Sequence, residues 1–388
     1  MKVTAIAPWF PTKQAPAMGS FIVKDLDTIS ATGVDIRLLH LVDPDFDDGT
    51  RHLESSGAQV LRVPFKSFSP VDLLRLSSIL SKYLKGSDII HSMAMSALPP
   101  LALARALHPA LRKIPWLHTE HWSGLTNPDS LTPRLRMARK VILQLEKYPD
   151  IVTTVCPYLS RAIQQRRIKP VVEVPCVVEP VRDLTPRKLP AQEPWRLISV
   201  GGLVERKDPI FALQVVEELQ RRGRRAELTW VGQGPLEEAA RDYAANHGLP
   251  LRLTGPLPYT GEGGVSAELQ AADLFIGPTH GDNFFVSCAE AILNGRPVVV
   301  GTAGGHPDYM RNFVGRAIAT HDVKVYADAV TELLTATPDN APGAEAIAAS
   351  IGEAFSSQTV GSSYRQVYEA AVAGDPTLLE QLPSWRGW

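Results

Sequence analysis

The chain has 388 residues, 44% of them hydrophobic and 21% charged, with 40 Lys and Arg against 41 Asp and Glu for a formal net charge of -1. That length exceeds one ordinary core and suits two domains, and the balanced charge gives no reason to expect nucleic acid as a partner. Cys156, Cys176 and Cys288 are spaced too widely for a zinc knuckle, a redox pair or a dense disulfide framework, so a reducing, cytoplasmic setting is expected.

The chain opens on a short apolar run, residues 3–7, that stops before two prolines. It is too short for a signal-peptide core and reads as a first buried strand. No stretch approaches the roughly 18 consecutive apolar residues of a membrane span. A soluble protein is expected, with at most peripheral contact at the inner face of a membrane. Further strands are predicted at 34–41, 58–63, 88–91, 116–119, 151–155 and 171–174, with helical patterns between them. The second half repeats the scheme with strands at 195–200, 226–231, 251–254, 274–276 and 297–300. Alternation of this kind predicts α/β architecture with two doubly wound, Rossmann-like domains. Residues 179–194 carry four prolines and no period, which marks a linker. The expected division is a first domain over 1–180, a linker over 181–194, a second domain over 195–365, and a helix and tail over 366–388 that return to the first domain.

Four segments can carry chemistry. In SVGGLVERKDP, residues 199–209, a strand ends in two glycines and Asp208-Pro209 opens a helix. Arg206 and Lys207 precede that helix N-terminus, whose free N–H groups favour anions, so phosphate binding is one reading and a glycine turn with solvated cations is the other. In 281–300, a loop carries Asp282 and a helix carries Glu290. At 1.5 Å per helical residue these carboxylates stand roughly 12 Å apart or less, too far for a glycosidase pair on one bond but suited to two ends of an extended ligand. The amides of Asn283, Phe284 and Phe285 would face its middle. The segment WLHTEHWSG, residues 116–124, bears His118, Glu120 and His121. A metal would need a third ligand at a known spacing, so hydrogen bonding is the expectation and no metal is assigned. Residues 17–20 place Gly19 after the first strand, but no G-x-G-x-x-G follows, which disfavours a nicotinamide enzyme. Glycine loops at 231–235 and 301–305 read as strand-end turns, and 135–147 reads as a surface helix whose basic face is the one candidate for weak contact with an anionic membrane.

The ordered segments 200–207, 231–235, 272–278 and 282–299 together resemble the retaining glycosyltransferases of family 4, and the resemblance spans essentially the whole chain. It implies the GT-B fold, with two Rossmann-like domains facing across a cleft and the C-terminal tail packed back on the first. It implies a nucleotide-diphosphate sugar as co-substrate, a UDP or GDP sugar foremost, with no metal or cofactor. Lys207 and Arg206 would bind the distal phosphate, Glu290 the ribose, Asp282 the transferred sugar, and backbone near Leu257 the base. Gly19 would approach the diphosphate and His121 the sugar. Asp282 stands where the family has Glu, Asn283-Phe284-Phe285 replace a G-F-G run, and Gly202 takes a donor-loop position that is often basic. The acceptor is open among small molecules, glycans and lipid-linked sugars. A sugar-nucleotide-binding protein without transfer, and an epimerase on the same architecture, are the alternatives.

Overall fold

A computed structural model describes residues 1–382 apart from 17, 67, 68, 129 and 130. Ala17 of the first glycine segment and residues 383–388 of the expected tail therefore lie outside the described residues. The chain forms two compact units, Met1–Val177 together with the segment from Ser356, and Val178–Phe355. The return to the first unit starts at Ser356, ten residues before the expected position, because Ser356 caps a continuous helix by accepting the Thr359 amide.

The first unit runs β1 (Lys2–Ala7), α1 (Ser20–Ala31), β2 (Asp35–Val42), β3 (His52–Ser55), β4 (Ala58–Pro64), α2 (Pro70–Tyr83), β5 (Ile89–Met93), α3 (Leu98–Leu107), β6 (Trp116–Glu120), α4 (Pro133–Leu145), β7 (Ile151–Thr154), α5 (Pro157–Gln164) and β8 (Val171–Glu173). Its sheet has the order β3-β4-β2-β1-β5-β6-β7-β8, parallel except where β3 pairs antiparallel with β4. The second unit runs β9 (Trp195–Val200), α6 (Pro209–Arg221), β10 (Ala226–Val231), α7 (Glu237–His247), β11 (Leu251–Gly255), α8 (Val265–Ala271), β12 (Leu274–Gly277), α9 (Val286–Leu293), β13 (Val298–Gly301), β14 (Gly315–Ile318), α10 (Val323–Thr335) and α11 (Ala344–Ala349). Its sheet is wholly parallel, in the order β11-β10-β9-β12-β13-β14.

Every expected strand forms, because apolar runs covered on both faces are what a parallel sheet requires. The sequence misses β3 and β14, two four-residue edge strands without such a run. In the second unit Trp195, Trp230, Leu197, Val299 and Tyr326 join one buried core. Helix α12 (Ser357–Ala373) crosses to the first unit and packs against α1. It buries Val360, Tyr364, Val367 and Tyr368, the i, i+4, i+7, i+8 stripe of an amphipathic helix, each contributing about 1.5–3 kcal/mol by removal from water. The Tyr368 hydroxyl meets His91 Nδ1 on β5 at 2.8 Å, so the polar atoms on that stripe are also engaged. Among the described residues no helix is long and apolar enough to cross a membrane.

Candidate active site

In the second sheet the order of connection reverses between β9 and β12, and ligands of doubly wound sheets bind beyond the strand ends at such a point. The loops that follow these two strands carry Arg206, Lys207 and Asp282. Loops from the flanking strands brace them. An ideal Cβ on Gly232 would stand 2.1 Å from the Gly201 carbonyl oxygen, and one on Gly234 would stand 2.5 Å from that of Leu203. The loop at 231–235 is thus more than a turn, since its glycines let two strand-end loops touch through backbone. On the other side, the Gly305 amide donates to the Asn283 carbonyl at 2.8 Å, and the Tyr309 hydroxyl reaches the Phe284 and Phe285 carbonyls at 2.9 and 3.0 Å.

Asp208 caps α6 by accepting the Phe211 amide at 3.0 Å, and Pro209 takes the first helical position. Its backbone is left-handed, with φ of 48°, a conformation rare for any residue other than glycine. The second Asp208 oxygen accepts from His280 Nε2 at 3.0 Å and from His321 Nε2 at 2.9 Å. These are ordinary hydrogen-bond lengths. The Thr279 hydroxyl and His280 amide both donate to the Arg206 carbonyl, at 3.1 and 2.9 Å, which ties the β12 loop to the β9 loop.

The charged centre pairs residues to which the resemblance gives separate parts of the ligand. Asp282 does not stand opposite two free cations: its Oδ2 accepts from Lys207 Nζ at 2.6 Å and from Arg206 Nη1 at 2.8 Å. Lys207 is 11% exposed, Asp282 22% and Arg206 35%. Lys207 Nζ also lies 3.8 Å from the centroid of the Phe285 ring, a cation–π contact. Burial pulls the Lys207 pKa below the usual ammonium range, with the Asp282 charge opposing. Burial disfavours the Asp282 carboxylate as well, but Lys207 and Arg206 outweigh it and hold its pKa below the ordinary carboxyl range. The Phe285 amide donates to Asp282 Oδ1 at 3.3 Å, and the Phe284 and Phe285 side chains are buried at 3% and 1% exposure. These aromatic groups therefore support the loop from inside, and the Phe285 amide is committed to Asp282. Gly202 is open, with the nearest atoms to an added Cβ at 3.6 Å.

Glu290 lies on α9 and is buried. Tyr259, two residues after the half-buried Leu257, receives a 3.4 Å hydrogen bond from the Asn294 amide of the same segment, and burial together with the Glu290 charge pushes its phenol up to about 12. The residues expected near base and ribose are thus brought to one side of the unit. In the first unit Gly19 caps α1 with φ of 69°, and an added Cβ would stand 2.5 Å from the Trp9 carbonyl oxygen. Packing alone therefore demands that glycine. His121 packs against Phe21, ring centroids 4.6 Å apart, with Nε2 3.7 Å from Asp25 Oδ2, and desolvation of the ring lowers its pKa to about 4. Asp25, Tyr309 and His321 carry no sequence signal, since each reaches its place only through tertiary contact.

Two family models match, "Glycosyltransferase Family 4" over residues 29–182 and "Glycosyl transferases group 1" over 194–336. Glycogen synthase of Mycobacterium tuberculosis is 29% identical over 197 residues, 50% of this chain and 47% of that protein, so the match spans about half the length of that relative. Among solved structures, sucrose-phosphate synthase from Thermosynechococcus elongatus is similar with a TM-score of 0.74 at 16% identity, covering 97% of this chain and all (100%) of that one. The Anabaena protein HepE in complex with UDP and glucose gives a TM-score of 0.69 at 15% identity, covering 95% of this chain and 100% of that one.

Proposed function

The chain belongs to the family 4 glycosyltransferases of GT-B fold, and from that premise we propose that it transfers a sugar from a nucleotide-diphosphate donor to a hydroxyl acceptor with retention at the anomeric carbon. The observation that carries the reading is the fixed Lys207–Asp282–Arg206 cluster at the strand ends where β9 and β12 diverge. Cleavage of the sugar–phosphate bond leaves negative charge on the diphosphate and oxocarbenium character on the sugar. Lys207 and Arg206, already oriented, stabilise that charge without reorganisation and without a metal ion. The acceptor oxygen attacks from the face the leaving group vacates, and its proton passes to the departing phosphate. A UDP or GDP sugar is the donor proposed, and the UDP-bound neighbour supports the former. Glu290 takes the ribose hydroxyls and backbone near Leu257 the base. Asp282 holds the two cations until phosphate arrives and then faces the transferred sugar. Gly19 and His121 keep the roles implied by the resemblance.

NMR of the product formed from an α-linked nucleotide sugar tests this reading. An α-linked product supports retention, and a β-linked product contradicts it. One observation favours a second reading: because Asp282 occupies both cations, a protein that binds nucleotide sugar without transferring it has the same unliganded geometry. Donor binding by calorimetry, with no turnover across a broad acceptor panel, selects that alternative.

A further inference from the structure

Strand β6 places His118 and Glu120 two residues apart, hence on one face of the sheet, and Glu146 at the C-terminal cap of α4 comes to meet them. All three side chains are buried, at 0%, 0% and 1% exposure. His118 Nε2 stands 3.4 Å from Glu120 Oε2 and 3.5 Å from Glu146 Oε1. Both separations are long for charge-assisted hydrogen bonds, which run at about 2.7–2.9 Å. They match the spacing of about 3.3–3.5 Å between donors that surround a tetrahedral ion with bonds of about 2.0–2.2 Å. Among the described residues neither carboxylate oxygen of Glu146 makes a hydrogen bond of ordinary geometry, and its neighbours are the other two members of the cluster. Arg167 reaches the Glu146 backbone carbonyl and not its carboxylate. A carboxylate at a helix C-terminus also meets the negative end of the helix dipole, so a cation is wanted there.

From this geometry we propose that His118, Glu120 and Glu146 hold a structural divalent transition-metal ion of the zinc type. Two carboxylates and an imidazole are a donor set that such an ion takes. One donor from each side chain gives three, and a water completes the tetrahedron. The surroundings supply the orienting contacts that metal-ligating groups need. His118 Nδ1 meets Ser92 Oγ at 2.8 Å, and Trp116 Nε1 donates to the same oxygen at 2.7 Å, which turns Nε2 toward the carboxylates. Glu120 Oε1 accepts the His121 and Trp122 amides, both at 2.7 Å. The ion therefore joins β6 to α4 and sets the start of the loop that carries His121. It is not part of the proposed transfer step. By contrast, the Asp208, His280 and His321 group has hydrogen-bond spacing and every oxygen and ring nitrogen in that contact is used.

Full-length protein purified without a metal-affinity step, from cells supplied with zinc, is assayed by inductively coupled plasma mass spectrometry. About one zinc per chain is expected to survive dialysis, and Co(II) in its place should give the visible absorption of a tetrahedral ion. Chelation under mildly denaturing conditions should lower the melting temperature by several degrees, and one equivalent of zinc should restore it. Glu146→Gln should lose the metal while keeping the far-UV spectrum. Metal-free wild-type protein whose melting temperature ignores added zinc overturns the proposal, as does full zinc retention by Glu146→Gln. If that variant does not fold, the wild-type metal content still decides.

Discussion

Lys207 and Asp282 form a 2.6 Å ion pair across 75 residues of sequence. The pair is pinned on its other side by the Phe285 ring, so protein groups alone fix the ammonium in place. Such preorganisation is what electrostatic stabilisation of a leaving diphosphate requires.

Asp282→Asn keeps the shape of the loop but removes the counter-charge of two cations. Leaving Lys207 and Arg206 without it should cost about 1–3 kcal/mol of stability in urea unfolding, less than for a fully buried pair because all three side chains retain some exposure. A nucleoside diphosphate should stabilise the variant more than it stabilises the wild type, since phosphate then meets unpaired cations. Equal stabilisation of the two proteins contradicts the place given to Asp282.

Gly232 and Gly202 make a paired control in adjoining loops. An alanine at Gly232 would press its Cβ to 2.1 Å from the Gly201 carbonyl, at a φ of 136°. It should lower stability by about 1–3 kcal/mol and weaken donor binding. Gly202→Ala should do neither, because the nearest atoms stand at 3.6 Å. Thermal denaturation of both variants checks the contrast, which fails if they behave alike.

Asp25 should make the first unit's stability fall with rising pH. Burial raises its folded pKa from 3.8 to about 8, with the Tyr364 hydroxyl and Lys24 only partly opposing. Tyr368 on α12 and His121 after β6 also face it. Between those two values the unfolded chain has released a proton that the folded chain keeps, so the contribution is fully present below the lower value and is lost as pH rises toward the upper. The slope is up to about 1.4 kcal/mol per pH unit. Asp25→Asn removes it, and its stability relative to wild type should therefore improve from pH 5 to pH 8. Parallel profiles across that range would remove Asp25 as the cause.

The twelve expected strands were legible because parallel sheets covered on both faces demand short continuous apolar runs. The edge strands β3 and β14 lack such runs and stayed hidden. Arg206 and Lys207 could be picked out by their place between a strand end and a helix start, and Asp282 and Glu290 by the ordered segments that carry the family resemblance. Their arrangement could not, since the pairing of Asp282 with both cations depends on how the β9 and β12 loops meet. Phe284 and Phe285 show the same boundary: their position beside Asp282 is plain in the sequence, but only packing against Phe355, Tyr309 and Phe275 turns them inward. Glu146 and Asp25 are single carboxylates in amphipathic stretches, indistinguishable there from solvated surface residues.

Thermal unfolding of the wild type and of Lys207→Ala across a panel of nucleotide sugars reads out donor binding at Lys207. At about 100 times its dissociation constant, the correct donor should stabilise the wild type by about 2.7 kcal/mol. Lys207→Ala should lose most of that gain at the same concentration. A wild type that no nucleotide sugar stabilises, or a variant stabilised equally, would contradict donor binding at Lys207.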